Sequence, residues 1–343
     1  MNREDGKTSD NGDELYSNSS AESENNSEDI LPAETEKSTI SNFLPVFRVK
    51  MTLHSIPIII SITISGLLAW YIHNVVEFET VIPENSPSQG LINGLIYTAF
   101  AIVSSIVIYL LVKRKGQNVL KIIMTIAFMF LSFTLFLFFG MLLVPFLESS
   151  YIVYYTFMGI SAILAVLLTY LYFSGKLSKW PKNIYVLGIG TLIGGFMGIA
   201  MPPWTTAVLL IGVSVWDIIS VRRGPIKGIM EIMNQVDHEA VSNMTEDDFK
   251  GAEIQIGIGD IAFYSMLTSG CLILTSKYLI FTGSIIVTLF AAIGILIGAF
   301  VTIRALRKNA ILPGLPFSIF LGMTLAFFSY YIIVVVFAFQ FVL

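Results

Sequence analysis

Nine stretches of this chain are each long and apolar enough to cross a lipid bilayer, and no other feature restricts the possible fold as much. A bilayer core takes about 20 consecutive apolar residues in helical form, because it holds no water to satisfy a backbone that is not hydrogen-bonded to itself. The stretches fall near residues 54–76, 91–112, 122–146, 151–173, 184–201, 205–221, 255–276, 278–303 and 313–342. Met201-Pro202-Pro203-Trp204 separates the fifth from the sixth and leaves both rather short, since adjacent prolines cannot continue a helical ladder. The ninth opens on Pro313 and Pro316, so its first turns are expected to be irregular. The expected fold class is all-α, a polytopic membrane protein with nine transmembrane helices. With 55% hydrophobic and 13% charged residues, an ordinary soluble domain is excluded.

Lys and Arg collect in alternate connections: Arg48 and Lys50 before span one, Lys113 to Lys115 after span two, Lys176, Lys179 and Lys182 after span four, Arg222, Arg223 and Lys227 after span six, and Arg304, Arg307 and Lys308 after span eight. Lys277 is the exception. Basic short loops stay in the cytoplasm, so a cytoplasmic N-terminus and an external C-terminus are expected. Residues 1–45 are rich in Ser, Asn, Glu and Asp; such a segment cannot bury enough apolar surface to offset its chain entropy and is expected to be a disordered acidic tail. It lacks a basic segment followed by an apolar one, so the first span is expected to direct membrane insertion. Residues 46–343 form the membrane domain, with a cytoplasmic loop at 222–256.

The net charge of −4 comes from the tail, and nothing in the charge pattern indicates a nucleic-acid partner. Cys271 is the sole cysteine, which excludes an internal disulfide, and with three scattered histidines no metal site is expected. His54 and His73 flank span one and His238 lies in a loop; an interfacial position suits them better than a serine-protease pairing. No His-Glu-x-x-His is present. Gly190, Gly194 and Gly198 in span five, with Gly294 and Gly298 in span eight, have the spacing that lets helices approach closely in lipid.

Two acids lie inside these spans. A carboxylate at mid-membrane costs about 2.5–3.5 kcal/mol even on the lenient insertion scale, so such a residue usually faces a wet interior and has a task. Asp217 falls about one and a half turns before Arg222, and Asp260 a similar distance into span seven, which places both at one depth on antiparallel neighbours. If they face each other, ionising one disfavours ionising the other, and the pair holds a single proton near neutrality. The ionised member can then draw a proton from water while the protonated member polarises a peptide carbonyl; no cofactor is required. Proton- or cation-coupled transport, or a conductance pathway, uses paired intramembrane acids as well, and composition leaves both open. Gly257 and Gly259 precede Asp260, where glycine allows a bend or the close approach of another chain. Pro313-Gly314-Leu315-Pro316 brings an irregular element to the same layer.

These residues resemble those of the presenilin and signal-peptide-peptidase class of intramembrane aspartyl proteases. Ser214-Val215-Trp216-Asp217 followed by Arg223-Gly224-Pro225-Ile226 is similar to the sixth-helix signature, Gly257-Ile258-Gly259-Asp260-Ile261-Ala262-Phe263-Tyr264-Ser265 to the Gly-x-Gly-Asp motif and its continuation, and Leu312-Pro313-Gly314-Leu315-Pro316 to the Pro-Ala-Leu motif that opens helix nine. The resemblance covers residues 50 to 343. It implies Asp217 and Asp260 as the catalytic pair, with Gly257, Gly259, Pro313, Gly314, Leu315 and Trp216 shaping the site and positioning substrate. It also implies hydrolysis of peptide bonds in or near transmembrane segments of other proteins. The expected orientation favours the presenilin side of the class. Trp216 stands where presenilins carry Tyr, Gly314 where they carry Ala, and the 222–256 loop is far shorter than the self-cleaved loop of animal presenilins. The chain in these respects looks like the microbial relatives, which implies a multi-pass protein of a microbial cell membrane that needs no accessory subunits.

Overall fold

A computed structural model describes residues 45–50, 53–76, 86–143, 151–224, 253–276, 279, 281–306 and 314–340. The acidic tail to residue 44, most of the 222–256 loop, His238 and Pro313 lie outside the described residues. Strand β1 (Val46–Lys50) leads into helices α1 (Ser55–Tyr71, prolonged by a wider turn Ile72–Val76), α2 (Pro87–Lys115), α3 (Gln117–Leu143), α4 (Tyr151–Phe173), α5 (Lys179–Ala200) and α6 (Pro203–Arg223). Strand β2 (Glu253–Gly257) then precedes α7 (Ile258–Ser276), α8 (Phe281–Leu306) and α9 (Leu315–Gln340). Among the described residues, nine helices are long and apolar enough to cross a membrane.

Three boundaries differ from the sequence expectation. Helix α5 starts at Lys179, a turn before the apolar run, so the Pro202–Pro203 break leaves a helix of full spanning length. Helix α9 is regular from Leu315, because Pro316 falls in its first turn, where the missing N–H would have no partner anyway. Helix α7 begins only at Ile258, and residues 253–257 are extended rather than helical. Their Glu-Ile-Gln-Ile-Gly alternation has the period of two that suits a strand.

The packing centres on α7, which lies against α5, α1, α8, α9 and α6 and has the most buried span of the nine. Lipid tails are as apolar as leucine, so helices associate through close van der Waals fit and hydrogen bonds rather than through the hydrophobic effect. The glycine rows supply that fit. A methyl group on Gly194 would overlap the Ala262 carbonyl oxygen and the Ser265 side chain, and one on Gly198 would overlap the Ser269 hydroxyl. Gly294 and Gly298 of α8 lie equally close to the backbone of α9 at Gly322 and Ser318. Ser269 Oγ donates to the Gly194 carbonyl at 3.4 Å, and Ser65 Oγ meets Thr268 Oγ1 at 3.3 Å, tying α7 to α5 and α1. Isoleucine, phenylalanine and valine side chains cover the outer surfaces, as on Phe100, Phe130 and Ile163.

Strands β1 and β2 form a two-stranded antiparallel sheet with Val46 opposite Gly257 and Lys50 opposite Glu253. Ile258 N–H donates to the Pro45 carbonyl at 3.3 Å. The hydrogen-bonded positions therefore fall on 258, 256 and 254, and the N–H and C=O of Gln255 face the outer edge of β2, which no described strand pairs. At the far edge of β1, the Asn183 carboxamide accepts from Arg48 N–H at 3.1 Å and donates to the Arg48 carbonyl at 2.7 Å. One side chain of α5 thus takes the place of a third strand.

Candidate active site

Asp217 lies six residues before the end of α6, about 9 Å along the axis. Asp260 is the third residue of α7, within its first turn, not one and a half turns in as the sequence implied. The strand before α7 nevertheless brings that helix start to the side of α6 that carries Asp217. Each carboxylate lies within electrostatic reach of the other, and both side chains are half-buried.

Local structure explains how the helices tolerate them. The Gly257 backbone N–H donates to the Asp260 carboxylate, so the acid at the third helical position caps the residue before the helix in the manner of a capping box. It also sits at the positive end of the helix dipole. Asp217 has no such role, since it lies in the body of α6. Its carboxylate Oδ2 instead accepts the Leu315 N–H at 3.4 Å.

Both acids converge on the peptide unit that joins Gly314 to Leu315. Its N–H is the Asp217 donor, and its Gly314 carbonyl accepts from the Tyr264 hydroxyl at 3.4 Å. The same hydroxyl reaches Ser318 Oγ at 3.2 Å. On the other side, a methyl group on Gly314 would stand 3.1 Å from Asp260 Oδ2. The peptide at the start of α9 is held by Asp217 of α6 and Tyr264 of α7, with Asp260 close beside it, and glycine is what lets Asp260 come so near.

Of the residues singled out from the sequence, Asp217, Asp260, Gly257, Gly314 and Leu315 come together here. Leu315 is buried and Trp216 half-buried; Trp216 is the chain neighbour of Asp217, turned about 100° round the helix from it. Gly259 is not crowded by the described residues: a methyl group there would make ordinary van der Waals contact with a Phe263 ring atom at 3.9 Å. Tyr264 and Ser318 were not among the candidates. Tyr264 lies four residues after Asp260 on the same helix face, and that spacing was the available signal. His54 is buried against Phe300, ring centroids 6.3 Å apart.

Fold and site together define a class, the polytopic helical membrane proteins that bring carboxylates from two neighbouring helices within electrostatic reach of each other. The family described as Presenilin matches residues 33–241, well over half of the chain, and the chain belongs to the presenilin family. The matched range includes Asp217 and stops before Asp260. Presenilin-B of Dictyostelium discoideum is 31% identical over 157 residues, which are 44% of this chain and 31% of that relative. The match spans less than a third of Presenilin-B's length. The fold is shared with a presenilin family intramembrane aspartate protease solved in space group C222, with a TM-score of 0.56 at 17% identity over 83% of this chain and 100% of that one. A structure in space group P2 matches with a TM-score of 0.53 at 18% identity, covering 82% of this chain and 98% of that one. The chain is a multi-pass integral membrane protein.

Proposed function

We propose that this chain is an intramembrane aspartyl protease that hydrolyses peptide bonds in or near the transmembrane segments of other membrane proteins, with Asp217 and Asp260 as its catalytic pair. The observation that carries the proposal is the convergence of two intramembrane carboxylates on one peptide unit, an expensive arrangement in lipid that a purely structural role does not require. With one proton between them, the ionised carboxylate takes a proton from a water molecule. The water oxygen adds to the scissile carbonyl carbon while the protonated carboxyl gives its proton to the carbonyl oxygen. The resulting diol collapses, the C–N bond breaks, and the nitrogen leaves with a proton as the amine. General acid and base help of this kind is worth about 10²–10⁴-fold each.

A transmembrane helix hides its amides in its own hydrogen bonds, so substrate must unwind before water can attack. The outer edge of β2 at Gln255, which no described strand pairs, lies five residues before Asp260 and suits pairing with an extended substrate by strand addition, and the uncrowded Gly259 suits close approach of its backbone. Pro313, next to Gly314, is assigned to shaping the same region. We place the basic ends of the helices, and with them the N-terminus, in the cytoplasm of a microbial cell. With its short 222–256 loop, the chain is expected to act without accessory subunits.

The test is incubation of the purified full chain in liposomes with a labelled transmembrane peptide. Cleavage is expected, to be abolished in Asp217→Ala and in Asp260→Ala, and to be blocked by peptides carrying a hydroxyl in place of the scissile carbonyl. Ion flux without cleavage would favour the transport reading instead. Isotope-edited infrared spectra of bound substrate are expected to contain extended backbone, and a fully helical bound peptide would contradict strand addition.

A further inference from the structure

Two side chains from outside the sheet hold the edge of β1 that faces away from β2. Arg48 N–H donates to Asn183 Oδ1 of α5 at 3.1 Å, and Asn183 Nδ2 donates to the Arg48 carbonyl at 2.7 Å. Two residues earlier, the Val46 backbone is hydrogen-bonded to the Tyr172 hydroxyl of α4. Alternate residues of an antiparallel strand face opposite edges: Phe47 and Val49 turn toward β2, and Val46 and Arg48 turn away from it. Side chains of α4 and α5 thus occupy the edge that a third strand would take. Tyr172 is itself fixed, its ring 5.3 Å from that of Tyr185, whose hydroxyl meets Ser132 Oγ of α3 at 2.9 Å and Thr169 Oγ1 of α4 at 3.1 Å.

A ribbon of two short strands is marginal by itself, and this one joins segments about two hundred positions apart, which adds loop-closure entropy. Gly190, two turns after Asn183 on the same face of α5, lies against Ile258 and Ile261 of α7. A closed circuit therefore runs from α5 through β1 and β2 into α7 and back to α5.

We propose that Asn183 and Tyr172 are positioning residues for substrate: by clamping β1 they hold β2 as a preformed edge onto which an extended substrate adds at Gln255. The proposal rests on the protease reading for the identity of the added strand. With Val46 and Arg48 already engaged on the far side of β1, the outer edge of β2 is left as the place for that strand. The next outward-facing residue of β2 is Gly257, whose N–H donates to the Asp260 carboxylate. A strand paired at Gln255 therefore runs on toward Asp260. An edge ordered in advance lowers the free-energy cost of binding and leaves the chemical step alone. Asp260 keeps its own bond from Gly257, so the clamp acts on KM and not on kcat.

The experiment measures kcat and KM for a labelled transmembrane peptide with the full chain in liposomes, well below each variant's Tm, together with amide exchange over residues 46–50 and 253–257. Asn183→Leu removes both bonds to Arg48 at similar side-chain size. It is expected to raise KM about three- to tenfold, as for the loss of one or two ordinary hydrogen bonds, with kcat within about twofold of wild type and faster exchange in both strands. Tyr172→Phe removes a single oxygen atom and is expected to move KM and exchange in the same sense by less. Exposed Lys176→Gln on the same corner is expected to change neither. Backbone N-methylation of the peptide, which blocks strand pairing, is expected to weaken binding to wild type more than to Asn183→Leu. Unchanged KM and exchange in both Asn183→Leu and Tyr172→Phe, or a loss confined to kcat, would overturn the proposal. Binding of the same peptide to Asp217→Asn, with and without Asn183→Leu, needs no cleavage. Weaker binding with Asn183→Leu supports the clamp even if wild type fails to cleave, which would refute the protease reading alone; equal binding overturns the clamp.

Discussion

Tyr264→Phe removes one oxygen atom and tests whether the Gly314–Leu315 peptide must be held for the site to work. The side chain is buried, and its single hydroxyl hydrogen is shared between the Gly314 carbonyl at 3.4 Å and Ser318 Oγ at 3.2 Å. Both contacts are long, so each contributes about 0.5–1.5 kcal/mol, and an unsatisfied carbonyl costs about 1–3 kcal/mol when nothing replaces its donor. The ring stays, so no cavity forms. The Leu315 N–H contact with Asp217 is already 3.4 Å, and a small tilt of the peptide breaks it. A transition-state penalty of about 1–2 kcal/mol follows, or about 5–30-fold in kcat. The assay is peptide cleavage at saturating and at low substrate, paired with thermal unfolding. Ser318→Ala serves as the control: it leaves the Tyr264 bond to Gly314 in place and is expected to cost much less. Wild-type kcat in Tyr264→Phe would refute the idea that this peptide orients Asp217.

Other outcomes follow from the same contacts. Gly198→Leu drives a side chain into the Ser269 hydroxyl and the Met266 carbonyl and is expected to destabilise the α5–α7 pair by more than the about 1–3 kcal/mol of ordinary overpacking, read as a lowered Tm in detergent; an unchanged Tm would mean these helices do not pack this closely. Gly314→Ala sets a methyl group 3.1 Å from Asp260 Oδ2, so the carboxylate has to give by a few tenths of an ångström; activity is expected to fall about 2–10-fold, as for a penalty of about 1 kcal/mol, and Gly314→Val to fall much further. The pH profile of kcat/KM is expected to be bell-shaped: at low pH both acids are protonated and no base remains, and at high pH both are ionised and no acid remains. A profile with one limb only would assign the chemistry to a single group.

Much of the fold could be read from the sequence because a bilayer converts composition directly into helices: the nine apolar runs became α1 to α9. The glycine spacing in α5 and α8 likewise marked helix contacts, since a missing side chain matters most where two backbones meet. Asp217 and Asp260 were conspicuous because a carboxylate in lipid is costly. Less legible was what depends on partners distant in the chain. The five residues of β2 alternate with a period of two and those of β1 only in part, but each strand lies near an apolar helical run, and their pairing joins residues about two hundred positions apart. The helix start of α7 differs from the expectation for that reason, and with it the number of turns that precede Asp260. Asn183 gave no signal, because a carboxamide that completes a strand edge looks like any polar residue at a membrane boundary. Tyr264 sat inside a recognised motif, yet its hydroxyl acquires meaning only when α9 brings the Gly314 carbonyl to it.

The most direct test of the central claim is a double-mutant comparison of cleavage rates for wild type, Asp217→Asn, Asp260→Asn and the two combined. Groups that share one proton act as a unit, so their losses do not add. Each single change is expected to remove about 10³-fold or more of the rate, within the range of paired acid–base help, and the double change to be no worse than either alone. A single variant that keeps wild-type activity, or losses that multiply in the double variant, would contradict a site built on two carboxylates working together.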